Sequence, residues 1–279
     1  MKHSDGFLQG VRGSKIFYQY WLPDEKIKAV LLVVHGLAEH SGRYMNLVNR
    51  FVALGYAVYG LDHLGHGNSE GTRVYVQRFT DFTYTLNKYH DMIREWQPDK
   101  PIFLIGHSMG GLISSAYLTQ HNNAFKGAIL SGPGVKVPEN ISGFTVFMGK
   151  MLSVLLPKAG IIQLDASLIS RDQQVVQNYI NDPLVYNGKT TARLAAEMLK
   201  AMIALESEAK KINLPLLIIQ GGADKLVDPS GAQMLYDQVS SADKELKIYK
   251  DLFHEVMNEP EKEQVFNDIQ NWLEKHLAD

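Results

Sequence analysis

The chain has 279 residues, 45% of them hydrophobic and 21% charged, with a formal net charge of −2 and no cysteine. That length and balance suit one globular core, with or without an insertion, and argue against nucleic acid as a principal partner. Disulfides, thiolate metal sites and cysteine nucleophiles are excluded, which fits a reducing, cytoplasmic setting. No apolar stretch follows Met1 to Gly6 and no run of about 18 apolar residues occurs, so neither a secretory signal nor a membrane-spanning helix is expected.

Phe7 to Val11 and Lys15 to Leu22 read as two strands around Arg12-Gly13-Ser14, an antiparallel hairpin at a sheet edge. Lys28 to Val34 is an unbroken apolar strand, the pattern of a parallel sheet covered on both faces. It runs into a polar, glycine-containing string from His35 to Tyr44, and the helix that follows, Tyr44 to Leu54, stops at Gly55. Tyr56 to Leu61 is the next strand and ends in Asp62-His63-Leu64-Gly65-His66-Gly67. A helix from Phe79 to Gln97 is closed by Pro98. Then Ile102 to Ile105 leads into Gly106-His107-Ser108-Met109-Gly110-Gly111, and Leu112 to Leu118 reads as a helix.

Phe125 to Ser131, Leu214 to Gln220 and Glu245 to Lys250 are further strands, with a helix near Ser230 to Val239 between the last two. The final helix is expected to start at Pro260, with Val265, Phe266, Ile269, Trp272 and Leu273 on one face. Strands alternating with helices predict a doubly wound, mostly parallel α/β sheet of eight strands with helices on both faces. Between Ser131 and Leu214 the rhythm breaks: about 80 residues carry no clear strand, too many for a structureless loop. They predict a helical cap at 134–211, inserted between core segments 1–133 and 212–279. Within it, Phe144 to Leu156 is apolar on almost every side. Two readings fit that stretch: a helix buried between cap and core, or a greasy lid that also touches a lipid surface, with Lys150 and Lys158 reaching for headgroups.

The chemistry centres on Ser108. A strand, a sharp turn and a helix around Gly-x-Ser-x-Gly lift a serine hydroxyl clear of the sheet, and the Met109 amide at the helix start points toward a developing oxyanion. The hydroxyl needs a base, and the base needs an orienting acid, in the chain order Ser, Asp or Glu, His. Asp224, after a buried strand and Gly221-Gly222, and His254, after the last strand, meet that order. Asp228 competes with Asp224 but precedes Pro229 and has the position of a helix cap. His121 and His276, in or beside helices, are read as surface residues. His107 is read as orienting and packing, and the second oxyanion donor as the backbone of Leu37. His63 and His66 lack metalloenzyme spacing, so no metal is expected. Asp62 and His63 are instead expected to be hydrogen-bonded beneath a loop shaped by Gly65 and Gly67.

The strings His35 to Tyr44, Asp62 to Gly71 and Gly106 to Gly111 together resemble the monoacylglycerol lipases of the α/β-hydrolase superfamily. Asn181-Asp182-Pro183, Gly221 to Asp228, and Lys247-Ile248-Tyr249 with His254 are similar to the same family, so the resemblance spans almost the whole chain. It implies an α/β-hydrolase fold with an inserted helical cap, and hydrolysis of monoacylglycerols to glycerol and fatty acid without a cofactor. It implies that Glu39, Arg43, His107 and Tyr179 line a polar pocket for the glycerol group. Leu37 is larger than the alanine of mammalian members, and the cysteines of those members are missing, so thiol-directed inhibition does not carry over. A lysophospholipase or broad carboxylesterase with the same triad is the alternative activity. A hydrolase-fold binding protein without catalysis is the alternative class. Peripheral membrane contact and oligomeric state are left open by the sequence.

Overall fold

Period-two packing explains the central strands. In β3 (Ala29–Val34) every residue is buried, and successive side chains enter opposite cores. Val30, Leu32 and Val34 face one core, while Ala29, Leu31 and Val33 face the other. The computed structural model describes residues 1–137 and 143–278, with side chains for all of these except 143–148.

In chain order the core begins with β1 (Lys2–Gln9), β2 (Lys15–Leu22) and β3, followed by α1 (Met45–Ala53), β4 (Tyr56–Leu61) and α2 (Thr80–Trp96). It continues with β5 (Ile102–His107), α3 (Met109–His121) and β6 (Gly127–Ser131). Between β6 and the next core strand lie α4 (Gly143–Leu155), β7 (Gly160–Gln163), α5 (Gln173–Asn181), β8 (Lys189–Thr191) and α6 (Ala192–Glu208). The core closes with β9 (Leu216–Gly221), α7 (Ser230–Gln238), β10 (Lys244–Tyr249) and α8 (Lys262–Ala278).

The main sheet has eight strands in the order β1-β2-β4-β3-β5-β6-β9-β10. Only β2 runs against its neighbours; the other pairs are parallel. Apolar residues of α1 and α8 cover one face, and those of α2, α3 and α7 cover the other. This is the architecture of an α/β-hydrolase, and β5, which delivers Ser108, lies well inside the sheet, paired with β3 and β6.

Four expectations need correction. The segment between β6 and β9 does contain strands: β7 and β8 form a small antiparallel sheet. They escape a pattern search because β7 is exposed throughout and its Ile161-Ile162 pair breaks alternation. The last helix begins at Lys262, because Lys262 and Gln264 donate to Glu259 and Glu261, three residues back, leaving Pro260 in a tight opening turn. His276 is buried, with its ring against Trp272 and Nε2 3.1 Å from Asp243; His121 is half-buried and stacked on Tyr117. Finally, Phe144 and Phe147 lie outside the residues whose side chains are described. The described end of α4 and the residue after it do not fit the buried-helix reading, since Val154, Leu155 and Leu156 are 70%, 69% and 61% exposed.

Candidate active site

One residue separates β5 from α3, so the chain must reverse within it. Ser108 takes φ 54° and ψ −119° to do so, a conformation costly for any side chain. The turn closes only because its flanks lack Cβ atoms: one on Gly110 would lie 2.0 Å from the Val34 carbonyl oxygen, and one on Gly106 2.4 Å from Ser114 Oγ. The Ser108 amide donates to Ser131 O on β6 at 3.0 Å, fixing the elbow to the neighbouring strand end.

Asp224 and His254 come from the loops after β9 and β10, adjacent parallel strands with a common C-terminal edge. His254 Nδ1 donates to Asp224 Oδ2 at 2.7 Å, and both side chains are buried. Asp224 Oδ1 accepts the Leu226 and Val227 amides at 2.8 and 3.0 Å, and Gln220 Nε2 adds a 3.0 Å bond to Oδ2. Burial alone would raise the Asp224 carboxyl; the bond from His254 and the two amides outweigh it and hold it below its ordinary range. The rival, Asp228, is exposed and spends its Oδ1 on the amide and hydroxyl of Ser230 at the start of α7.

Ser108 and His254 line one cavity with Leu37, Glu39, Arg43, His107 and Tyr179. Its volume is about 10 Å³, room for about one water. Among the described residues no bond joins Ser108 Oγ to the imidazole; such contacts tighten when a substrate is bound. The Leu37 and Met109 amides have no acceptor among the described residues, as free oxyanion donors require. The loop carrying Leu37 is itself strained: Ala38 has φ 65°, and its carbonyl accepts the Tyr186 amide from the inserted segment at 2.8 Å. A roomier cleft of about 730 Å³ between α2, α3 and α6 shares no residue with this cavity.

The four residues of the expected polar pocket come together around a buried ionic cluster. Glu39 Oε1 accepts the Gly36 amide at 2.6 Å and Tyr44 Oη at 2.8 Å, and Oε2 accepts Arg43 Nη1 at 2.7 Å. Burial would push Glu39 up, but the Arg43 guanidinium, helped by the bond from the Gly36 amide, outweighs it and holds the carboxyl at about 2. Both its oxygens are engaged by the protein, so Glu39 faces the cavity as a support for Arg43. Arg43 lies 4.5 Å from the Tyr179 ring centroid, and the buried Tyr179 hydroxyl has no partner among the described residues. His107 Nδ1 donates to Ser131 O at 3.0 Å, and burial, with His254 nearby, lowers its affinity for a proton.

Asp62 does brace its loop, accepting the Ser41 amide and hydroxyl and the Asn68 amide. The His63 ring departs from expectation: its amide donates to His35 Nε2, but neither ring nitrogen has a partner among the described residues. No group of His, Asp or Glu able to hold a metal occurs among the described residues. Sequence reasoning missed Glu255, which pairs with Arg43 at 2.7 and 2.9 Å, and the His40–Asp182 bond at 2.9 Å that ties the insertion to the core. The signal for Glu255 is its position directly after His254; His40 and Asp182 lie in separate motifs, neither of which points to the other.

Comparison with known proteins agrees with this geometry. A family model described as serine aminopeptidase, S33, matches residues 25–261. The monoacylglycerol lipase of Mycolicibacterium smegmatis is 37% identical over 274 residues, 98% of each chain. The human monoglyceride lipase is 36% identical, covering 97% of this chain and 90% of its own. The crystal structure of Paleococcus ferrophilus monoacylglycerol lipase superposes with a TM-score of 0.82 at 27% identity, over 99% of this chain and 100% of the other. With near-full-length identity above one third and the same fold around a serine elbow, the chain belongs to the monoacylglycerol lipase family of the α/β-hydrolase superfamily.

Proposed function

We propose that the protein is a serine hydrolase that cleaves monoacylglycerols to glycerol and free fatty acid. The observation that carries this reading is the 2.7 Å Asp224–His254 bond beside a strained Ser108, with Ser108 and His254 lining one cavity with Leu37, and Met109 next to Ser108 at the start of α3. His254 Nε2 takes the Ser108 proton as Oγ attacks the ester carbonyl. The two amides stabilise the oxyanion of the tetrahedral intermediate. His254 then protonates the departing glycerol oxygen, and water, deprotonated by the same imidazole, releases the fatty acid from Ser108.

Arg43, His107 and Tyr179 form the glycerol pocket in this reading, with Glu39 behind Arg43. The unpartnered Tyr179 hydroxyl and the lining shared with Ser108 support it. The names of the bacterial and human relatives favour monoacylglycerols over the lysophospholipase and carboxylesterase alternatives. The test is a chain-length panel of monoacylglycerols run beside a diacylglycerol, lysophosphatidylcholine and p-nitrophenyl esters, with Ser108→Ala as control. Monoacylglycerols are expected to give the highest kcat/KM and Ser108→Ala none. Full activity in that variant refutes the nucleophile, and a preference for lysophosphatidylcholine refutes the substrate.

The 134–211 insertion acts in this reading as a cap that meets lipid surfaces. Its support is the exposure of Met151, Val154, Leu155, Leu156, Ile162 and Ile203, all on the insertion. No helix among the described residues is long and apolar enough to cross a membrane, so the contact is peripheral. Leu155→Glu is expected to reduce cosedimentation with liposomes while turnover of dispersed short-chain esters persists; unchanged cosedimentation counts against the surface.

A further inference from the structure

Arg43 lies between two carboxylates that belong to different parts of the catalytic machinery. Its Nη1 donates to Glu39 Oε2 and to Glu255 Oε1, both at 2.7 Å, and its Nη2 donates to Glu255 Oε2 at 2.9 Å. Glu39 holds the Gly36 amide, one residue before Leu37. Glu255 directly follows His254. A short series of contacts therefore runs from the base to the oxyanion loop: His254, Glu255, Arg43, Glu39, Gly36, Leu37.

We propose that Glu255 is a positioning residue, whose pair with Arg43 locks the backbone carrying His254 to the loop carrying Leu37. The proposal rests on the serine hydrolase reading above. Three features fit positioning better than ligand binding. Both Glu255 oxygens are already engaged, Oε2 also accepting Asn258 Nδ2 at 2.8 Å. The fork-to-fork geometry of guanidinium and carboxylate sets direction as well as distance, which a single contact does not. The side chains are nearly sealed, 10% exposed for Arg43 and 6% for Glu255, so bulk water and salt screen the bonds little. The neighbourhood is fastened on other sides too: the Glu255 amide donates to Ile169 O of the insertion at 2.8 Å, and Asn258 accepts from Asn46 on α1. The Glu255–Arg43 pair is the link aimed at the oxyanion loop. A tetrahedral centre must meet the imidazole and the two amides at once, so a slip between those loops acts on the chemical step for every ester.

The test compares Glu255→Ala, Glu255→Gln and the parent on a monoacylglycerol and on a p-nitrophenyl ester of the same acyl chain, with fluorophosphonate labelling rates measured alongside. Glu255→Ala is expected to lower kcat on both esters by a similar factor, on the order of tenfold to a hundredfold, with KM within about twofold and labelling slowed in parallel. Glu255→Gln keeps the shape and one acceptor and is expected to recover part of the loss. A defect confined to the glycerol ester, or to KM, overturns the proposal in favour of headgroup binding. A lower melting temperature with unchanged kcat in Glu255→Gln overturns it in favour of a purely structural role, and this isosteric variant carries the test if the alanine variant fails to fold. Ser108→Ala in the same panel keeps the two readings separate: activity surviving there refutes the nucleophile, whatever Glu255 does.

Discussion

Gly110→Ala probes the joint on which the site depends. A Cβ at this position would stand 2.0 Å from Val34 O and 2.5 Å from His35 O, whereas ordinary contact begins at 3.4 Å. Both obstacles are backbone oxygens at the end of β3, with no side-chain rotamer to swing away. Helix α3 and strand β3 must therefore part by roughly 1 Å or more. Overpacking of this kind costs about 1–3 kcal/mol. At about 2 °C per kcal/mol for a chain of this length, the melting temperature should fall by about 2–6 °C. The catalytic cost is larger, because the Met109 amide rides on α3 while the Leu37 amide follows β3, so parting the two elements opens the oxyanion hole. A misplacement near 1 Å is worth on the order of a hundredfold in rate. Thermal melts followed by circular dichroism, with fluorophosphonate labelling rates, read the two effects separately. Gly149→Ala is the control: outside its chain neighbours and the backbone of its own helix, no described atom lies within 4 Å of its added Cβ, and it should label like the parent. A Gly110→Ala protein that melts and labels as the parent does would refute the reasoning.

Two further outcomes follow from the site. Asp224→Asn removes the carboxylate that holds His254 Nδ1–H, and kcat should drop by about 10⁴ through the wrong tautomer; steady-state kinetics showing a loss below tenfold would contradict that role. Acid should erode stability over two overlapping pH ranges. Burial keeps His35, His63, His66 and His107 neutral, with His66 lowered from 6.5 to about 3. Below 6.5 the unfolded chain takes up protons that these buried rings refuse, so their contribution is whole above that value and erodes as pH falls beneath it. Glu39, lowered from 4.5 to about 2, contributes fully above 4.5 and loses its share as pH falls toward 2. Urea midpoints should therefore decline steadily from about pH 6.5 to about pH 4, and a flat profile over that range would count against buried neutral histidines.

Much of the site was legible because its signals are local. Ser108 is announced by its own turn, and Asp224 and His254 by their places at strand ends. The apolar run of β3 and the spacing from Val265 to Leu273 are short-range patterns that survive in the linear chain. His276 was misread although it follows Trp272 by four positions, which puts it on the buried face of α8; its polar identity hid its spacing. Pro260 signalled a helix start, but the tight opening turn delayed the helix to Lys262.

By itself the sequence determined the alternation of strands and helices, the elbow at Ser108 and the places of Asp224 and His254 after later strands. Neighbouring residues and periods of two to four positions encode those features. Only the tertiary structure decided which charges share a guanidinium. Arg43 and Glu255 stand 212 positions apart, and His40 meets Asp182 across 142. No local pattern specifies such a pairing; it arises when parallel strands bring their C-terminal loops to one edge, where a buried charge must find its opposite.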